Sequence, residues 1–201
     1  MKAILTGDII NSQSIEADKW LPLLRKELSK TGKEPKDWEI YRGDSFQIKT
    51  EVEKALELAF LLKATIKQFK ELDVRIAIGI GSISYEAKKI TESNGDAFVS
   101  SGAAFENLKK NTLAIKTPWD DFNTTFTLVL ELTALFADQW TTASSEVIKL
   151  ALEKPDLNQN QLADLLQLKS QSTVSAALKR GSFDELKNVL TYYNSEISKR
   201  C

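Results

Sequence analysis

Histidine is absent from the 201 residues, and cysteine occurs once, at Cys201. The first absence excludes Ser-His-Asp and Cys-His catalysis and any His-ligated zinc. The second excludes a disulfide framework and a cysteine-cluster metal site. Any metal must therefore bind oxygen, which favours Mg²⁺, Mn²⁺ or Ca²⁺. An excess of charge of one sign is also missing: 27 Lys+Arg stand against 28 Asp+Glu, a formal net charge of -1. Such a chain has no global attraction for nucleic acid, so any contact of that kind needs a local patch. Long apolar runs are lacking too. The stretches 58–62 and 128–130 are far too short to span a bilayer. Only three apolar residues separate Lys2 from Thr6, so no signal peptide is expected. A cytoplasmic protein with no membrane partner is the expectation.

What is present is 42% hydrophobic residues in 22.5 kDa, enough for a substantial core in one or two domains. Ala3-Ile4-Leu5, ending in Thr6-Gly7-Asp8, reads as a buried strand and a turn. Residues 15–30 have helical spacing through Trp20, Leu23, Leu24 and Leu28, stopped by Gly32 and Pro35. Trp38, Ile40, Phe46 and Ile48 fit two short strands joined at Arg42-Gly43-Asp44-Ser45. Residues 51–72 read as one long amphipathic helix, and the β-branched run 74–80 as a central strand. A helix over 95–110 and a short strand at 113–115 follow. The order β-α-β-β-α-β, then helix and strand, predicts a split βαβ, ferredoxin-like sheet with helices on one face. After Pro118 the chain reads as all-helical: a long connecting helix over 119–139, a helix over 145–154, and three more over 158–168, 171–180 and 183–197. The expected division is 1–117, a connecting helix over 118–140, and a helical domain over 141–201. Residues 136–201 hold eight basic and eight acidic residues, so this half has no strong charge either.

The segment 158–180 contains the most specific pattern in the chain. A helix-turn-helix needs a small residue where its second helix crosses its first, and Ala163 supplies it. It needs apolar anchors, here Leu162, Leu165, Leu166, Leu168, Val174 and Leu178. It also needs small polar residues at the start of the helix that enters the major groove. Gln171, Ser172, Thr173 and Ser175 fit that role, with Ser170 as N-cap. Lys169, Lys179 and Arg180 stand ready to neutralise phosphates. The stretch resembles the helix-turn-helix of bacterial transcription regulators, in which a Gln-Ser-Thr-Val-Ser string opens the recognition helix. It departs from them in carrying Gln167 where glycine is common, and in one extra residue between Ala163 and Val174. The competing reading is a small helical module that binds protein.

In the first half, Asp8 ends the first strand and Asp44 sits at the hairpin tip. A strand beside the hairpin would let the two carboxylates converge as a hard-oxygen site for Mg²⁺ or Mn²⁺. The backbone amides of Ile9, Ile10, Asn11 and Ser12 are placed to cradle a phosphate or nucleotide. Arg42 and Arg75 are further candidates for the phosphate, although Arg75 also suits pairing with an acid on a neighbouring strand. The plainer alternatives are a capping Asp8 and an ordinary hairpin tip at Asp44.

These motifs resemble the nucleotidyl cyclase-like fold of the class III adenylate and guanylate cyclases. There, a strand-ending Asp and a Gly-Asp hairpin hold the metals, and Asp8 and Asp44 match those positions. Arg75-Ile-Ala-Ile-Gly-Ile-Gly81 and Gly95-Asp96 resemble the strand and the helix start that follow. Active cyclases carry an Asn and an Arg in that helix, whereas residues 99–105 here contain neither. The motifs taken with the terminal helix-turn-helix resemble the SatD-like family over nearly the whole chain, which implies an architecture more than a mechanism. The leading expectation is a homodimeric, DNA-binding transcription regulator with a cyclase-like sensor domain that binds nucleotide and Mg²⁺. The alternative is a nucleotidyl cyclase or nucleotidyltransferase-like enzyme with an accessory helical domain, and a third is a protein-interaction scaffold.

Overall fold

A computed structural model describes residues 1–201 as an α+β fold with one five-stranded mixed sheet and eight α-helices. The strands are β1 (Lys2–Ile10), β2 (Trp38–Tyr41), β3 (Ser45–Thr50), β4 (Asp73–Gly81) and β5 (Leu113–Lys116). The helices are α1 (Ala17–Ser29), α2 (Ala55–Ile66), α3 (Asp96–Glu106), α4 (Asp120–Ala137), α5 (Thr142–Glu153), α6 (Gln159–Leu165), α7 (Gln171–Arg180) and α8 (Phe183–Ser198). The strand order is β2-β3-β1-β4-β5, with only β4 and β5 parallel. No helix is long and apolar enough to cross a membrane.

Alternation along the strands sorts side chains to two faces. Ala3, Leu5 and Ile9 of β1 join Val74, Ile76, Ile78 and Ile80 of β4 in the main core, with Trp20, Leu24 and Leu28 of α1. The opposite face of β4 carries Arg75, Ala77, Gly79 and Gly81, and α3 lies against it. Helices therefore cover both faces, not one. The small residues explain the difference. A Cβ on Gly79 would stand 2.2 Å from the Ala97 carbonyl and the Ser101 amide, so only glycine lets α3 approach so closely. Buried Thr6 and Ser101 share a hydroxyl hydrogen bond of 3.0 Å across that contact.

α2 is shorter than the expected helix over 51–72 and is not amphipathic: ten of its twelve residues are buried. It lies between the sheet on one side and α5 and α8 on the other, so only Glu57 and part of Leu61 meet water. Its fully buried Leu56, Phe60, Leu62 and Ile66 each contribute about 1.5–3 kcal/mol by leaving water. Tyr193 of α8 is also fully buried, and its hydroxyl donates to the Val52 carbonyl at 2.6 Å. One hydrophobic cluster of 43 buried residues thus runs from β1 to Ile197, joining the sheet region to the C-terminal helices. α3 ends at Glu106, so Lys109 and Lys110 lie in a loop rather than in the expected helix over 95–110.

Candidate functional site

Two regions hold the residues singled out in the sequence. The first is a polar groove of about 750 Å³ at the end of β1. Ile9, Ile10, Asn11, Ser12, Asp44 and Arg75 line it, as does the loop Lys109–Thr112. The register explains the gathering: Asp8 lies opposite Ser45 on one side and Arg75 on the other, and Ile9 donates its amide to the Asp44 carbonyl at 3.2 Å. That bond occupies the Ile9 amide, so it is not free to cradle a phosphate. Asn11 and Lys109 at the rim hold left-handed backbone, φ 58° and 49°. Such strained conformations in non-glycine residues concentrate at functional sites. Arg42 is exposed at the hairpin tip and does not line the groove.

Each carboxylate expected to share a metal already has a partner. Arg75 grips Asp8 with two hydrogen bonds, Nε to Oδ1 at 2.9 Å and Nη2 to Oδ2. Hydrogen bonding to Asp8 raises the Arg75 pKa above its ordinary value, against the opposing effect of burial. The guanidinium also lies over the Phe105 ring, 5.6 Å from its centroid. Asp44 accepts from the Ser12 hydroxyl at 2.6 Å. No group of three or more carboxylate, thiol or imidazole side chains is placed to hold a metal. A bidentate guanidinium already brings Asp8 the positive charge that a cation would supply. The residues as arranged therefore do not fit a Mg²⁺ or Mn²⁺ pair on Asp8 and Asp44. What the groove does offer is Lys109 and Lys110, both exposed, beside the amide side chains of Asn11 and Asn111. Spacing around Asp8 and Asp44 gave no hint of this loop. The only signal was the Lys-Lys-Asn run between a helix and a strand.

The second region is the pair α6 and α7. Asn158 caps α6, accepting from the Asn160 and Gln161 amides at 3.0 and 3.1 Å, while Gln161 accepts from the Asn158 amide at 2.9 Å. The turn closes as a Schellman motif: Leu168 N–H donates to the Ala163 carbonyl (2.9 Å) and Gln167 N–H to the Asp164 carbonyl (3.1 Å). Gln167 occupies the left-handed position with φ 53°, where glycine is favoured because it has no Cβ to clash. Ser170 stands at the N-cap of α7, but its hydroxyl is shared with Ser172 (2.7 Å) and Thr173 (3.3 Å) instead of a backbone amide.

Val174 and Ala177 are the buried face of α7. Ser172, Thr173, Ala176, Lys179 and Arg180 are exposed, as are Lys169 and Ser170 just before the helix. Gln171 is exposed but tied to the side chain of Gln159. Ser175 is half-buried and turned towards α8 in a separate groove. Leu162 and Ala163 are buried as expected, but Leu165 is 59% exposed and anchors nothing. In a helix of two turns, the stripe through Leu162, Ala163 and Leu166 leaves Leu165 pointing outwards. The far end of α7 is fixed by Trp140, whose Nε1 donates to the buried Gly181 carbonyl at 2.8 Å. Neither known family models nor characterised proteins match this chain.

Proposed function

We propose that the protein is a DNA-binding transcription regulator in which α6, the turn and α7 act as a helix-turn-helix. The carrying observation is the division of α7. It buries Val174 and Ala177 yet presents Ser172, Thr173, Ala176, Lys179 and Arg180 together on an open face. Small polar residues at the N-terminal end meet base edges and phosphates, and cations at the C-terminal end neutralise the backbone. The Schellman turn at Gln167 supplies the tight reversal that such a unit needs, so the missing glycine is no obstacle.

The sheet region is the sensor in this reading. Its order β2-β3-β1-β4 supports a ferredoxin-like, nucleotidyl cyclase-like plan with β5 added beside β4. The groove suits a phosphate-bearing ligand held by Lys109, Lys110, Asn11, Asn111 and Ser12 without a metal. The alternative of a cyclase or nucleotidyltransferase is disfavoured by the Asp8–Arg75 pair, which occupies the carboxylate that metal-assisted phosphoryl chemistry would need.

The test is fluorescence anisotropy of the full chain against tiled fragments of its source genome at low and moderate salt. A specific fragment should be retained, and Lys179→Ala with Arg180→Ala should weaken it at least tenfold. Each lost phosphate contact should also flatten the slope of log K against log salt by about 0.9. Uniform binding to all fragments, or a double variant that binds as wild type, refutes the assignment.

A further inference from the structure

α4 spans 18 residues, about 27 Å at 1.5 Å per residue. Its inner face buries Phe122, Phe126, Leu130, Thr133 and Ala137. Its outer face carries Leu128, Leu132 and Leu135, which are 57%, 55% and 72% exposed. The steps of four and three residues place them in one stripe, the seam spacing of paired helices. Half-buried Val129 and Phe136 border the stripe. Tyr192 of α8, 42% exposed, stacks on Phe126 at 5.5 Å between centroids on the other side of the helix and is not part of the stripe. An exposed apolar stripe of this extent is unfavourable in water unless something covers it.

We infer that this stripe is a self-association surface, covered by the same stripe of a second copy of the chain. The charge on α4 decides among possible occupants. The helix holds Asp120, Asp121 and Glu131 and no basic residue at all. An anionic membrane surface attracts helices with Lys and Arg flanking the apolar face, so it is a poor match here. A charged protein partner has only Glu131 to read along the stripe. An apolar seam of the same length is what fits, and a second copy carries one. With Leu128, Val129, Leu132, Leu135 and Phe136 from each copy, the contact lies at the lower bound of specific interfaces, about 1,000 Å² in total. The association is then reversible, with a dissociation constant in the micromolar range.

The pairing itself does not depend on the DNA-binding reading, but its consequence does. Trp140 links the end of α4 to the end of α7 through Gly181. A dimer built on α4 would therefore set the separation of two recognition helices, the quantity that half-site spacing must match.

Sedimentation velocity of the full chain from about 1 to about 100 μM tests the inference. The expected result is a concentration-dependent mass approaching twice 22.5 kDa. Leu132→Glu should stay monomeric over the same range, an affinity loss of at least tenfold, with its melting temperature unchanged at low concentration. Leu135→Gln, at the most exposed position, should give the same result and decides the matter if Leu132→Glu fails to fold. A wild-type protein that is monomeric throughout, or two folded variants that dimerise like wild type, overturns the proposal. DNA binding is measured on the same samples. Loss of DNA binding in a protein that still dimerises refutes the regulator reading alone, and specific DNA binding by a monomeric wild type refutes the dimer alone.

Discussion

Replacing both Asp73 and Asp138 by alanine would strand the ammonium group of Lys63, which is fully buried. Its Nζ lies 2.7 Å from Asp73 Oδ1 and 2.7 Å from Asp138 Oδ1, and donates to Thr112 Oγ1 at 3.2 Å. Lys67 reinforces the cluster from the rim, 3.1 Å from Asp73 and donating to the Asp138 carbonyl at 2.8 Å. The cluster ties α2 to the starts of β4 and β5 and to the end of α4. With both carboxylates gone, Lys63 keeps one hydroxyl. Leaving a buried charge unpaired costs about 3–5 kcal/mol, a large share of the 5–15 kcal/mol typical of a folded domain. For a chain of this size the melting temperature should fall by about 6–20 °C. Adding Lys63→Met should recover at least half of that loss, because the stranded charge is then removed and the site becomes apolar. Lys63→Met alone should be milder than the double variant, since Asp73 and Asp138 retain 17% and 31% side-chain exposure and can be hydrated. Thermal and urea unfolding followed by circular dichroism measures all four proteins. A triple variant no more stable than the double, or a double variant within about 1 kcal/mol of wild type, refutes the argument.

Three further outcomes are expected. Gln167→Gly relieves a left-handed residue in the turn before α7 and should stabilise the chain by about 0.5–1 kcal/mol in the same melts, and a fall in melting temperature would mean that Gln167 makes a compensating contact. Burial alone would raise the Glu153 pKa, but hydrogen bonds and charge from Lys149 and Lys30 override it and lower the group from its ordinary 4.5 to about 2. The stability this confers is present above about 4.5 and is lost as pH falls towards 2, so Glu153→Gln should cost about 2 kcal/mol near neutral pH after allowance for screening. That gap should shrink as pH falls below about 4.5 and close only below about 2, and a gap undiminished at pH 2 contradicts the assignment. Finally, Arg75→Met frees Asp8 beside Asp44, so Mg²⁺ should raise the melting temperature of that variant by more than it raises wild type; an equal rise in both proteins would show that the guanidinium does not exclude the ion.

Much of the secondary structure was legible because its signals are local. The β-branched run 74–80 lies within β4, and Asn158 with Gln161 marks the start of α6 by a pairing three residues long. Pro118 falls between β5 and α4 and Pro155 between α5 and α6, where a residue lacking an amide proton interrupts no ladder. The composition alone removed histidine chemistry, a disulfide framework and a cysteine-cluster metal site. It also confined any DNA contact to the rim made by Lys169, Lys179 and Arg180, which the structure leaves exposed.

The tertiary structure decided what depends on residues far apart in the chain. The sequence offered Arg75 a pairing with an acid on a neighbouring strand, but only the register of β1 on β4 makes that acid Asp8, 67 residues away. α2 read as amphipathic because charged Glu57 and Lys63 interrupt its apolar pattern, yet Lys63 is buried on carboxylates contributed by β4 and the end of α4. The side of the sheet taken by α3 followed from the absence of a side chain at Gly79, and its early end delivered Lys109 and Lys110 to the groove. Helix and strand signals arise from steric and hydrogen-bonding preferences within a few residues, so the sequence by itself determined the elements. Charge partners, covered faces and groove walls arise from packing between those elements, so only the tertiary structure could decide them.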